Sequence, residues 1–229
     1  MKRRQFTAGS IIVPGIVAVS WPAWGFDLSE TDAAAGVRAA LEKGAASAVG
    51  LLGRQDGFLG NPKVRIPLPG FLEDAAKLLR ATGQGRRVDE LVTAMNRAAE
   101  AAVPEAKPLL VNAVKSMSVE DARKIISGGD DSVTQFFAGK TRSPLSEKFL
   151  PIVTRATQKV SLAAKYNAVA GKAMGLGLVS KEEANVEQYV TGKALDGLYL
   201  MIGEEERKIR QNPAAAGSAI LKKVFGALK

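Results

Sequence analysis

Apolar positions recur along most of this chain at spacings of three and four, the repeat that gathers side chains on one face of an α-helix. Val37, Leu41, Ala45, Ala48 and Leu52 begin the pattern, behind Ser29 with Asp32 three places on in a capping-box arrangement. The stretch from Arg54 to Gly70 interrupts it with three prolines and three glycines. Inside that stretch Val64, Ile66 and Leu68 alternate with outward positions, which predicts one extended piece. A single strand has nothing to pair with, so the expectation is an arm laid over helices. The helical repeat resumes from Phe71 to Ala81 and stops at Thr82–Gly85, where Gly83 and Gly85 are expected to supply left-handed positions. It returns with Val88, Leu91, Val92, Met95 and Ala99 in a helix ending at Ala102, and Pro104 and Pro108 then punctuate short helices through Met117. Ser118, with Asp121 in capping-box position, opens a helix that ends at Gly128; Asp130 or Asp131 caps the next, and Pro144 begins another that runs to about Val160. Residues 161–177 read as helical, Glu182–Gln211 as one long helix, and Asn212–Pro213 as the cap of a last one. No internal repeat or composition break divides the pattern. It predicts an all-α fold: a single multi-helix domain of about eight to ten helices with one long extended connection.

The first residues follow a different logic. A basic start, Met1 to Phe6, precedes a short apolar run from Ile11 to Val19 and the small-residue frame Ala23–Trp24–Gly25. This is the layout of an export signal cleaved after Gly25. The run is shorter than the roughly 20 residues that a membrane-spanning helix needs. Arg3 and Arg4 ahead of Gln5 and Phe6 also resemble a twin-arginine signal, although a general secretory signal has a basic start too. The expected division is residues 1–25 as signal and 26–229 as one helical domain in the periplasm.

Removing residues 1–25 takes three cations, no acid and both tryptophans, leaving 204 residues with a formal charge of +6. Hydrophobic residues make up 46% of the whole chain, enough to bury a sizeable core. There is no cysteine and no histidine. Disulfides, thiol nucleophiles, iron–sulfur clusters and the Ser-His-Asp triad are therefore excluded, and zinc sites lose their two commonest ligands. Carboxylate chemistry, Ser/Lys and Lys-imine chemistry, and oxygen-ligated calcium or magnesium remain. A paired-carboxylate glycosidase stays formally open, but the domain offers no tryptophan as a sugar platform.

Three consecutive acids, Glu204, Glu205 and Glu206, raise the question of a catalytic or metal-binding patch. Each helical residue advances about 100°. With Leu195 at zero, Glu206 falls at about 20°, Glu205 near 280° and Glu204 near 180°. Glu206 therefore lies inside the apolar stripe of Leu198, Tyr199, Ile202 and Ile209, with Arg210 four places on as an ion-pair partner. Glu205 sits at the edge of that stripe, and Glu204 is expected to be solvated. Glu205 and Glu206 are the only catalytic candidates the pattern offers. No metal site or cofactor is expected. Gly128 to Asp131 lacks the alternating oxygen ligands and closing glutamate of a calcium loop and reads as a helix end followed by a cap. The two G-x-G stretches follow no predicted strand and match no nucleotide fingerprint.

Charge is unevenly spread. Residues 138–179 hold Lys140, Arg142, Lys148, Arg155, Lys159, Lys165 and Lys172 against Glu147 alone, an excess as large as that of the whole domain. Lys148, Arg155 and Lys159 form a stripe beside the apolar face of Leu145, Phe149, Ile152, Val153 and Ala156, and are the candidate anion-facing residues. The partners this suggests are an anionic envelope surface or an acidic protein; no nucleic-acid motif is present.

Several stretches together resemble one family: "DGFLGNPKVRIPLPG", "MNRAAEAAVPEAKPLL", "GGDDSVTQFF", "KFLPIV" and "KALDGLYLMIGEEERKIRQNPAA" with "ILKKVFG". The chain is similar over nearly all of Phe26 to Leu228 to the exported bacterial proteins of domain-of-unknown-function family 4197. The resemblance implies a helical domain behind a signal sequence and brings no reaction, ligand or catalytic residue with it. The expected function is a non-enzymatic binding or interaction module at the cell envelope. The alternative is a glutamate-based hydrolase or a divalent-cation-dependent protein built on Glu206 with Glu205.

Overall fold

The long helix α8 (Val186–Gln211) is buried over most of its circumference, with apolar side chains from Val186 and Val190 through Leu198 and Ile202 to Ile209. A helix apolar nearly all round belongs at the centre of a bundle. In the computed structural model, which describes residues 30–129 and 131–212, α8 packs against α1 (Glu30–Leu52), α3 (Gly85–Ala102) and α6 (Ser132–Thr157). Around them lie α2 (Glu73–Ala81), α4 (Ala106–Lys115), α5 (Val119–Ser127) and α7 (Ser161–Gly175), with single 3-10 turns at Gly70–Leu72, Val103–Glu105 and Lys181–Glu183. No strand occurs among the described residues, and no helix there is long and apolar enough to cross a membrane. Phe58, Phe137, Phe149, Leu195 and Tyr199 are essentially inaccessible. Burial of each such side chain contributes about 1.5–3 kcal/mol.

The export signal, the Ser29 cap, Asp130 and the segment from Pro213 onward lie outside the described residues. Elsewhere the local signals are met in several places. Ser118 and Asp121 form a reciprocal capping box at α5, and the backbone N–H donated by Ser118 holds the Asp121 carboxyl below its usual range. Gly83 takes the left-handed conformation (φ 77°), whereas Gly85 does not and opens α3.

Three expectations are revised. Pro144 does not begin a helix: it and Pro151 lie inside the single helix α6. Each proline removes one backbone donor, and the carbonyls thereby released, at Lys140 and Glu147, belong to exposed residues that water reaches. Continuous burial of Val133, Phe137, Leu145, Phe149 and Val153 along the helix outweighs the lost hydrogen bonds. The long helix starts at Val186 rather than Glu182, because the Asn185 side chain accepts the Gln188 N–H at 2.7 Å and caps it there. Glu204 is not solvated: its side chain is 16% exposed and receives Lys63 Nζ at 2.7 Å.

That lysine belongs to the Arg54–Gly70 arm, which crosses the bundle as an irregular and partly extended segment. Val64 and Ile66 are buried while Lys63, Arg65 and Pro67 face outward. An arm without a strand partner must find other acceptors and donors for its backbone. α3 supplies them from Asn96 and Glu100, one turn apart. Asn96 is fully buried; its Oδ1 accepts Ile66 N–H at 2.9 Å and its Nδ2 donates to Ile66 O at 2.9 Å. Glu100 Oε1 accepts the N–H groups of Phe58 and Leu59 at 3.0 and 3.1 Å, and Oε2 takes Arg97 Nη1 at 2.6 Å. Tyr189 Oη donates to Pro67 O at 3.1 Å. Gly197 lets the arm approach α8, since a Cβ there would come within 2.8 Å of the Phe58 ring.

Candidate functional site

At the C-terminal end of α8 the three glutamates part company. Glu206 is 3% exposed, and Arg210 Nε donates to its Oε1 while Arg210 Nη2 donates to Ile125 O on α5. Glu206 Oε2 has no hydrogen-bond donor among the described residues. Glu205 turns toward α1 and accepts from Ser47 Oγ at 2.7 Å and from Lys208 Nζ at 2.6 Å. Burial works against ionisation of Glu205, but the two donors outweigh it and hold its pKa below the usual carboxylate value. Glu204 faces the arm. The three carboxylates thus serve three separate contacts, and no group of three or more acidic ligands that could hold a metal ion occurs among the described residues.

The basic stretch has the opposite character. Lys148 and Arg155 project from α6 and Lys159 from the turn that follows it; all three are exposed and none has an ion-pair partner among the described residues. The same holds for Lys140, Lys165 and Lys172. Arg142 alone of the seven is paired, with Asp196 at 2.5 Å, and its guanidinium lies 5.5 Å from the Tyr199 ring centre. Some cations elsewhere have an acidic partner, such as Lys77 with Asp74, Arg80 with Asp89, Arg86 with Glu90, Arg97 with Asp56 and Glu100, and Lys124 with Glu120, while Arg54, Arg65, Lys107 and Lys115 are exposed without one among the described residues. Between residues 138 and 179, by contrast, seven cations stand against Glu147 as the one acid. A positive field is therefore concentrated on α6, α7 and their junction.

The Arg142–Asp196 bridge also divides the groove between α6 and α8 into two clefts. One, of about 360 Å³, is lined by Ser146, Lys181, Gln188 and Thr191; the other, of about 350 Å³, by Thr134, Tyr199 and Arg207. Tyr199 Oη and Thr141 Oγ1 share a buried hydrogen bond at 2.9 Å beneath it. Burial raises the Tyr199 pKa, with the Thr141 hydrogen bond opposing, so the phenol stays protonated at neutral pH.

The family model described as "Protein of unknown function (DUF4197)" matches residues 27–226. The chain belongs to that family. No curated protein and no solved structure matches it. Within this DUF4197 member, two of the stretches that carry the resemblance build the arm and its clamp. "DGFLGNPKVRIPLPG" is the arm itself, and the Asn96 and Glu100 of "MNRAAEAAVPEAKPLL" hold it. The sequence pattern singled out neither residue. The available signal was two polar residues one turn apart beside the apolar face of α3, in a chain whose Pro/Gly-rich arm lacked backbone partners.

Proposed function

We propose that this DUF4197 protein is a non-enzymatic binding module of the cell envelope, working in the periplasm after removal of residues 1–25, and that its partner is an anionic lipid surface met by Lys148, Arg155 and Lys159. The observation that carries the reading is the run of six exposed cations without ion-pair partners between Lys140 and Lys172, in a stretch whose one acid is Glu147. Matched pairs are worth about 0–1 kcal/mol and leave little field outside the protein, whereas unmatched cations are free to act on an external charge. The hydrolase reading has less support, because Glu206 is buried against Arg210 and lines none of the clefts between α6 and α8.

Each lysine or arginine held near an anionic membrane contributes about 1 kcal/mol. Replacing Lys148, Arg155 and Lys159 together by glutamine is therefore expected to weaken partitioning onto anionic vesicles by on the order of a hundredfold. Co-sedimentation with vesicles of anionic and of neutral phospholipid, across a salt series, tests this with protein recovered from its own cells. Binding to anionic vesicles that falls as salt rises, and falls further in the triple variant, supports the reading. Equal binding to neutral and anionic vesicles, or a triple variant that binds as wild type, defeats it. N-terminal sequencing of the same material is expected to begin at Phe26.

A further inference from the structure

A cleft of about 170 Å³ opens between α2, α3 and α7, and its accessible wall contains no polar surface. Leu72 and Leu79 line it from the α2 side, Leu91 from α3, and Leu162, Tyr166 and Val169 from α7. The one charged residue on the lining is Lys165, at the exposed edge of α7. Tyr166 contributes its ring and not its hydroxyl, which is turned away to donate to Glu183 O at 3.3 Å. The ring is fixed edge-on against Phe71, 6.1 Å between centres. Apolar cavities of about 150 Å³ stay dry and take up apolar molecules from water. The walls of this one offer a guest contact and no hydrogen bond.

The surroundings show the same pairing of apolar and cationic groups. Leu162 and Val169 stand seven residues apart on α7, with Lys165 and Lys172 on the same helix, and Leu176 follows at the same interval just past its end. Val169 is 50% exposed, and Leu176 and Leu178 beyond the end of the helix are 75% and 73% exposed. Leu78 on α2 is 66% exposed. Neither lysine has an ion-pair partner among the described residues. Val169, half exposed on the lining itself, adds apolar surface at the opening.

We infer that this cleft holds the acyl chain of an anionic lipid, with the carboxylate or phosphate of that lipid set against Lys165. The inference rests on the anionic-surface reading and names the lipid group that enters the protein. A peptide is a poor occupant, because an inserted backbone would leave its N–H and C=O groups unpaired against a wall with no hydrogen-bonding surface. An acyl chain has no such groups. The single cation at the mouth complements the single charge at the head of the chain, and Lys172 extends the positive edge along the direction in which a headgroup would lie.

The test uses cis-parinaric acid, a fatty acid that fluoresces when its chain leaves water, titrated into the full chain without vesicles. Saturable binding is expected. Ala75→Phe, at an exposed residue on the lining, fills the cleft and is expected to weaken binding by about tenfold or more. Val169→Glu, which places a negative charge at the mouth, gives the same loss by a second route. Lys165→Met weakens binding of the acid but leaves the methyl ester of the same chain unaffected, a split that a general loss of structure would not produce. Circular dichroism and vesicle co-sedimentation of each variant accompany the titrations. Lost probe binding in Ala75→Phe with salt-sensitive vesicle binding retained is the expected signature. An absence of saturable binding in the wild type overturns the cleft while leaving the cationic face to its own vesicle assay. Probe binding that survives both Ala75→Phe and Val169→Glu overturns it as well, since the chain then binds elsewhere.

Discussion

Asn96→Ala is the substitution expected to reveal how the arm is held. The side chain is fully buried, and Ile66, whose backbone it brackets, is 1% exposed. Alanine removes the acceptor of Ile66 N–H and the donor to Ile66 O together. Its third hydrogen bond, from Nδ2 to Val92 O at 2.8 Å, is cheaper to lose, because Val92 O keeps its helical partner. Each buried backbone group left unpaired costs about 1–3 kcal/mol. Two of them, reduced by any water that enters the space left by the amide, give about 2–4 kcal/mol of destabilisation. Urea unfolding followed by circular dichroism measures it. Thr93→Ala, at an exposed position on the same helix, is the control and is expected to stay within about 0.5 kcal/mol of wild type. Limited trypsin digestion reads the arm itself. Lys63 and Arg65 are exposed, yet their peptide bonds lie in a segment tied down at Phe58, Leu59, Ile66 and Pro67. If the loss falls on local opening, cleavage there accelerates by roughly one to two orders of magnitude. An Asn96→Ala protein within about 0.5 kcal/mol of wild type, cleaved at the wild-type rate, would refute the clamp.

Two further outcomes follow from the packing of α8. Gly197→Ala improves helix propensity yet is expected to destabilise by about 1–3 kcal/mol, because the new methyl meets the Phe58 ring at 2.8 Å and Val64 at 3.2 Å; a neutral or stabilising result in thermal melts would mean that the arm does not rest on that helix. Glu206→Ala is expected to cost about 1–3 kcal/mol by removing the buried acceptor of Arg210 Nε, against about 0–1 kcal/mol for Glu204→Gln, whose partner Lys63 is exposed; equal melting shifts for the two would contradict the distinction between them.

Most helices were legible because they bury one face, and the spacing of Val88, Leu91, Met95 and Ala99 records that burial directly in the sequence. The α5 capping box was legible for a similar reason: both partners lie within one turn. Helix α6 was misread at Pro144 because a proline is a local signal, whereas what keeps the helix continuous is a line of contacts with α3 and α8 far away in sequence. The same separation hid the arm clamp. Asn96 and Ile66 are 30 residues apart, and Lys63 and Glu204 are 141. Periodicity placed Glu206 on the buried side of α8 and Glu204 on the opposite side, but no local pattern states that the arm returns to cover the latter. For the candidate site, Lys148, Arg155 and Lys159 were visible as an excess of charge. That they lack acidic partners, while Lys124 or Lys77 do not, is a property of the folded surface. The apolar cleft with Lys165 at its edge was not visible at all, since its walls come from three helices and each wall residue looks locally like ordinary core.

If the unpaired cations between Lys140 and Lys172 meet an anionic membrane, the lysines among them become shielded when the protein binds one. Amine-acetylation footprinting by mass spectrometry, with and without anionic vesicles, reads each lysine separately. The expected result is protection at Lys148, Lys159, Lys165 and Lys172, reversed by high salt, with little change at the acid-paired Lys77 and Lys124. Protection spread evenly over all lysines, or centred on Lys77 and Lys124, would contradict the account.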